Sequence, residues 1–138
     1  MRNFRNYKIW TESISFTTKI YKIVSNFPSF ERYGLGDQLR RASVSIPSNI
    51  AEGAARDSER EFIHYLNISL GSAFEVETQL QIAYNLEYIS QKTFDMLLAQ
   101  LHLIEKQINE LISVIKRQQP TANSQQLTAN SQQLTANS

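Results

Sequence analysis

The chain has 138 residues, no cysteine and a formal net charge of +1. That length corresponds to one domain, the absence of thiols excludes disulfides and thiolate metal sites, and near-neutral charge excludes the strongly basic class of nucleic-acid binder. No run of apolar residues is long enough to cross a bilayer, and Met1 to Tyr7 leads into no signal-peptide core, so a cytoplasmic protein without membrane contact is expected.

The first helix is predicted from Tyr7 to Asn26, ending ahead of Pro28, because proline disfavours helical geometry in the residue before it. It carries two apolar stripes. Trp10, Ile14, Thr17, Tyr21 and Val24 form one, and Ile9, Phe16, Ile20, Ile23 and Phe27 the other. The second helix is predicted to start near Gly36 or Asp37, with Asp37 as its N-cap. Its core line is Leu39, Ala42, Ser43, Ile46, Ile50 and Gly53. Pro47 interrupts that line and cannot donate to the Ser43 carbonyl. Because the apolar phase continues to Ala54, one helix distorted at Pro47 is expected rather than two short ones.

The third helix opens with the capping box Ser58-Glu59-Arg60-Glu61 and is expected to reach Tyr84. Phe62, Leu66, Ser69, Ala73, Val76, Leu80 and Ala83 recur at steps of three and four, which keeps them on one side. Ser90 can cap a fourth helix running to about Gln118, with the core line Phe94, Leu97, Leu101, Ile104, Ile108, Leu111 and Ile115. The short connections make the expected fold an all-α, antiparallel, up-down-up-down four-helix bundle over residues 1–118. Within residues 119–138 the heptad Thr-Ala-Asn-Ser-Gln-Gln-Leu runs from Thr121 to Leu127, repeats to Leu134 and starts again at Thr135. One leucine per heptad forms no coiled-coil seam, so this tail is expected to be disordered.

Three helices carry more apolar surface than one core stripe needs. The excess comprises Ile9, Phe16, Ile20, Ile23 and Phe27 on the first helix, Val44, Ala51 and Ala55 on the second, and Ile63, Leu70 and Phe74 on the third. A wide core absorbs part of such a set. The remainder predicts a subunit interface, and hence a homo-oligomer.

No catalytic constellation is legible, so a non-enzyme with no cofactor is expected. Gly34-Leu35-Gly36 is too short for a phosphate loop and lacks the lysine. His64 and His102 read as surface or packed side chains, since neither has an oriented partner in sequence. The di-metal pattern of four-helix bundles needs Glu-x-x-His twice. Glu61-Phe62-Ile63-His64 supplies it once, and Ala99 stands where His102 would need its glutamate, so no metal site is expected. Glu75 and Glu77, two apart, do not face each other and read as solvated or paired with a basic residue of a neighbouring helix or subunit.

Charge is uneven. Residues 1–60 hold ten Lys or Arg against six Asp or Glu, and residues 61–138 hold four against seven. Arg40, Arg41, Arg56 and Arg60 are therefore a candidate phosphate-contacting face, because the guanidinium fork donates two parallel hydrogen bonds. Glu52 and Arg56 are spaced to pair across one turn, so the simpler reading of the cluster is a solvated face with ordinary ion pairing, and the functional one a polar seam or part of a phosphate-binding face.

The string Arg41-Ala42-Ser43-Val44-Ser45-Ile46-Pro47-Ser48-Asn49-Ile50-Ala51-Glu52-Gly53, with the Phe62 to Leu80 segment, resembles the four-helix-bundle proteins of the 23S ribosomal RNA intervening-sequence family. The resemblance covers about residues 5–117 and is similar in turn to the accessory protein of diversity-generating retroelements. It implies a pentameric ring, and a partner that is RNA, DNA or a nucleic-acid-processing protein. It carries over no catalytic residue. Pro47, Asn49, Glu52 and Gly53 map onto its motif, with helix packing or ring assembly as the implied role. The retroelement relative is strongly basic, and this chain is not. The expected function is thus a non-enzymatic homo-oligomeric assembly or adaptor protein with an arginine-bearing face, the alternative being a protein–protein module without nucleic-acid contact.

Overall fold

The computed structural model describes residues 2–118, so the expected disorder of the repeat tail lies outside the described residues. Four helices account for most of them: α1, Lys8–Val24; α2, Leu35–Ala54; α3, Glu59–Asn85; and α4, Gln91–Arg117. Short 3₁₀ turns at Phe4–Asn6 and Ser29–Glu31 precede α1 and α2, and no strand occurs among the described residues. Packing closes a ring in which α1 meets α2 and α4, and α3 meets α2 and α4. Between α2 and α3, Gly53 abuts Phe62 and Tyr65, Ile46 meets Ser69, and Ser45 meets Ser72, so the two helices run in opposite directions. Tyr84 stacks on Phe94 at 4.7 Å, and Glu77 meets His102 further along the same pair. None of the described helices is long and apolar enough to cross a membrane.

Local chemistry places the helix ends. The Ser58 hydroxyl accepts from the Glu61 N–H at 3.1 Å, and the Ser90 hydroxyl accepts from the Thr93 N–H at 3.1 Å, satisfying donors that the first turn leaves free. Asp37 is not the cap of α2. The helix begins two residues earlier at buried Leu35, after Gly34, and Asp37 sits in the first turn. There its carboxylate complements the helix dipole and pairs with Arg41 at 2.8 Å.

The core lines of α2 and α3 lie inside as the sequence spacing predicts, and α4 follows its line except that Ile112 is buried more fully than Leu111. On α1 the outcome reverses the expectation. Ile9, Phe16, Ile20 and Phe27 are core residues, with Phe16 and Ile20 fully buried, and they cannot form a subunit interface. Ile23, Ile63 and Leu70 are half-buried against the same core. The other α1 stripe turns outward at Ile14 and Tyr21, with Trp10 half-buried, while its Thr17 and Val24 are buried. The physical reason is that the buried stripe consists of Ile and Phe with no polar atom to satisfy. Trp10 and Tyr21 each carry a donor better placed at a wet edge.

Candidate functional site

The motif around Pro47 builds a hydrogen-bonded seam in which side chains donate to the backbone carbonyls of the turn around the proline. Pro47 has no N–H, so the helix cannot bond the Ser43 carbonyl. The buried Thr17 hydroxyl of α1 donates to that carbonyl at 3.0 Å. One turn on, the Ser69 hydroxyl of α3 donates to the Ile46 carbonyl at 2.9 Å. Asn49 donates its amide to the Ser45 carbonyl and to the Ser45 hydroxyl, both at 2.8 Å, and that hydroxyl lies 2.8 Å from the Ser72 hydroxyl. The proline turn is thereby tied to both neighbouring helices, and α2 runs without a break to Ala54.

Gly53 completes the motif by allowing close approach. A Cβ there would lie 2.6 Å from the Tyr65 Cβ and 3.1 Å from a Phe62 ring carbon. Glu52 points outward and pairs with Arg56 at 2.6 Å, as the one-turn spacing predicts. Arg56 also donates to the Tyr65 hydroxyl at 2.9 Å and lies over the Tyr65 ring at 4.8 Å. Asn49 and Pro47 therefore serve the fold's interior, and Glu52 with Arg56 braces the exit of α2.

The four arginines do not converge. Arg40 and Arg41 stand near the start of α2, whereas Arg56 and Arg60 lie beyond its end, roughly 20 Å away at 1.5 Å per residue. Arg40 donates to the Arg32 carbonyl at 2.8 Å and lies 3.6 Å from Asp37. Arg41, its side chain 80% exposed, bonds Asp37, and Arg60 is exposed. Arg2, which the sequence reading did not single out, closes the Arg56 end. It donates to the Arg56 carbonyl at 2.7 Å, pairs with Glu59 and lies over the Phe62 ring. A basic residue so close to a chain start gives no periodic signal, so only the folded contacts reveal it.

Two further features are assembled by the fold alone. The first is a mainly apolar groove of about 300 Å³ between α1 and α2, lined by Phe4, Trp10, Ile14, Val44, Pro47 and Ala51 together with the hydroxyl residues Thr17 and Ser48. Of the side chains expected at an interface, Val44, Ala55 and Phe74 are exposed and Ala51 is half-buried. The second joins α3 to α4, where the His102 Nε2 lies 2.7 Å from the Glu77 Oε1. That hydrogen bond raises the His102 pKa above its ordinary 6.5, against a smaller opposing effect of burial and with the Glu77 and Glu105 charges adding to it. Burial, then the negative charge of Glu77, raises the pKa of Glu105.

A solved structure from Bacteroides thetaiotaomicron VPI-5482, described as a protein of unknown function from the S23 ribosomal protein family, is similar at a TM-score of 0.69 and 28% identity. The match covers 75% of this chain and 97% of that one. No curated protein matches. The model of the 23S rRNA-intervening sequence protein family matches residues 5–110, a span that contains the whole Pro47 seam, the groove apart from Phe4, and the Glu77–His102 pair. The chain belongs to the 23S rRNA-intervening sequence protein family.

Proposed function

We propose that this protein is a non-enzymatic, self-assembling adaptor of the cytoplasm, whose copies dock through apolar flanks of the bundle. The groove of Phe4, Trp10, Ile14, Val44, Pro47 and Ala51 carries this reading, since it lies open between α1 and α2 with little polar lining. A closed ring needs two different patches on each copy, one fitting the other. Phe74 and Ile82 of α3, 50% and 44% exposed, supply apolar surface for the second. The family resemblance supports five copies, and the lack of cysteine suits a reducing compartment. Polar side chains of the Pro47 motif are engaged in holding helices together, which supports assembly over catalysis.

Trp10 is the only tryptophan, so its fluorescence reports on the groove directly. Iodide should quench it weakly in concentrated protein and more strongly in Val44→Glu, with a lower light-scattering mass in the variant and unchanged helical circular dichroism. Equal mass and equal quenching in the two proteins would remove the groove from the assembly.

A second reading gives the assembly an RNA or DNA partner, or a nucleic-acid-processing protein. Exposed Arg41 and Arg60 favour it, because symmetry would repeat them around the ring. Phosphate contacts of this kind weaken steeply with salt. Retardation of structured RNA or duplex DNA at low salt, lost in the Arg41→Glu, Arg60→Glu double variant, is the expected result. Absence of any shift at tens of micromolar protein leaves the protein-only adaptor.

A further inference from the structure

We propose that Glu77, His102 and Glu105 form a binding site for a divalent transition cation, with zinc as the leading occupant, where α3 meets α4. One donor atom from each residue lies within 4.8 Å of the other two. His102 and Glu105 are three residues apart on α4 and share a face, while Glu77 reaches them from α3. The set is therefore fixed by two packed helices rather than by a loop. Zinc bonds of roughly 2.0–2.2 Å require the three donors to draw together by side-chain rotation.

A second observation singles out this cluster from ordinary surface charge. The Glu105 Oε2 is shielded from solvent and has no hydrogen-bond partner. Among the described residues no Lys or Arg forms an ion pair with Glu77 or Glu105. Two carboxylates are thus held close together with only the imidazole between them, an arrangement that a dication relieves. One imidazole with two carboxylates suits zinc and neighbouring transition ions better than calcium or magnesium, which favour oxygen ligands alone. Three protein ligands at a half-exposed position leave room for water in the remaining coordination position. Coordination through Nε2 releases to solvent any proton held between that nitrogen and Glu77. The paired Glu-x-x-His pattern is irrelevant here, because the third ligand comes from 25 residues upstream of His102.

Calorimetric titration of the full-length protein with zinc chloride tests the site, with cobalt(II) as a spectroscopic substitute. The expected result is one zinc per chain, weakened roughly tenfold or more by His102→Gln and by Glu105→Gln. His64→Gln, which changes the other histidine, should bind as the parent does. Cobalt(II) should give visible absorption that disappears in His102→Gln. Circular dichroism of each variant guards against misfolding; His64 and His102 are exposed and Glu105 is half-buried. No saturable binding up to millimolar zinc, or equal binding by all the variants, overturns the proposal.

Discussion

The Thr17 hydroxyl donates across 3.0 Å to the Ser43 carbonyl, the backbone acceptor that Pro47 deprives of its helical partner. A residue of α1 therefore completes the hydrogen bonding of α2, and the proline becomes a tie between helices. Thr17→Val keeps the shape and removes the donor, leaving a buried carbonyl unsatisfied at a cost of about 1–3 kcal/mol. Pro47→Ala restores an N–H at the position that would bond Ser43. In the double variant the loss caused by Thr17→Val should therefore shrink markedly, as a denaturant double-mutant cycle would report. Additive losses would mean that the two residues do not share this acceptor.

Two glycines on adjacent helices should respond oppositely to the same change. A methyl at Gly53 meets the Tyr65 Cβ at 2.6 Å, inside any normal contact, so Gly53→Ala should destabilise by about 1–3 kcal/mol through overpacking. A methyl at Gly71 meets nothing within 4 Å, and that position is an exposed helix interior. Gly71→Ala should stabilise by roughly 0.5–1 kcal/mol, because alanine loses less backbone entropy on folding. Urea midpoints at one fixed protein concentration would compare them. Loss of stability in Gly71→Ala would indicate that another molecule lies against that part of α3.

His102 should titrate above 6.5 in metal-free protein, chiefly because its ring is hydrogen-bonded to Glu77. A folded-state pKa raised above the unfolded one gives stability that is complete below the unfolded value. That stability is lost as pH rises through the folded value. Solvent screens this largely exposed pair, so the stability effect is small and the midpoint is the better readout. Proton NMR should show the midpoint falling in Glu77→Gln, and an unchanged midpoint would contradict the pairing.

The parts of the fold that the sequence revealed were those where one periodicity had no rival. On α4 a single line from Phe94 to Ile115 matches the buried face apart from Leu111, and Ser58 and Ser90 cap their helices as their positions predict. On α1 two apolar stripes competed, and periodicity has no term for which one meets the neighbours. The inward choice put Phe16 and Ile20 in the core and left Ile14 at the surface. Asp37 looked like a cap because its residue type favours one, but burial of Leu35 drew the helix start back. The candidate sites were less legible still. Thr17 and Ser43 are 26 residues apart, and Glu77 and His102 are 25 apart, so neither pairing exists until the helices pack. The arginines show the converse. Neighbours in composition, they were separated by the length of α2.

Sedimentation equilibrium of the unaltered chain, over a concentration range reaching tens of micromolar, tests self-assembly most directly. The account predicts a particle several times the 15.9 kDa chain mass, and five times that mass if the ring of the family resemblance forms. A single 15.9 kDa species across the whole range would contradict it.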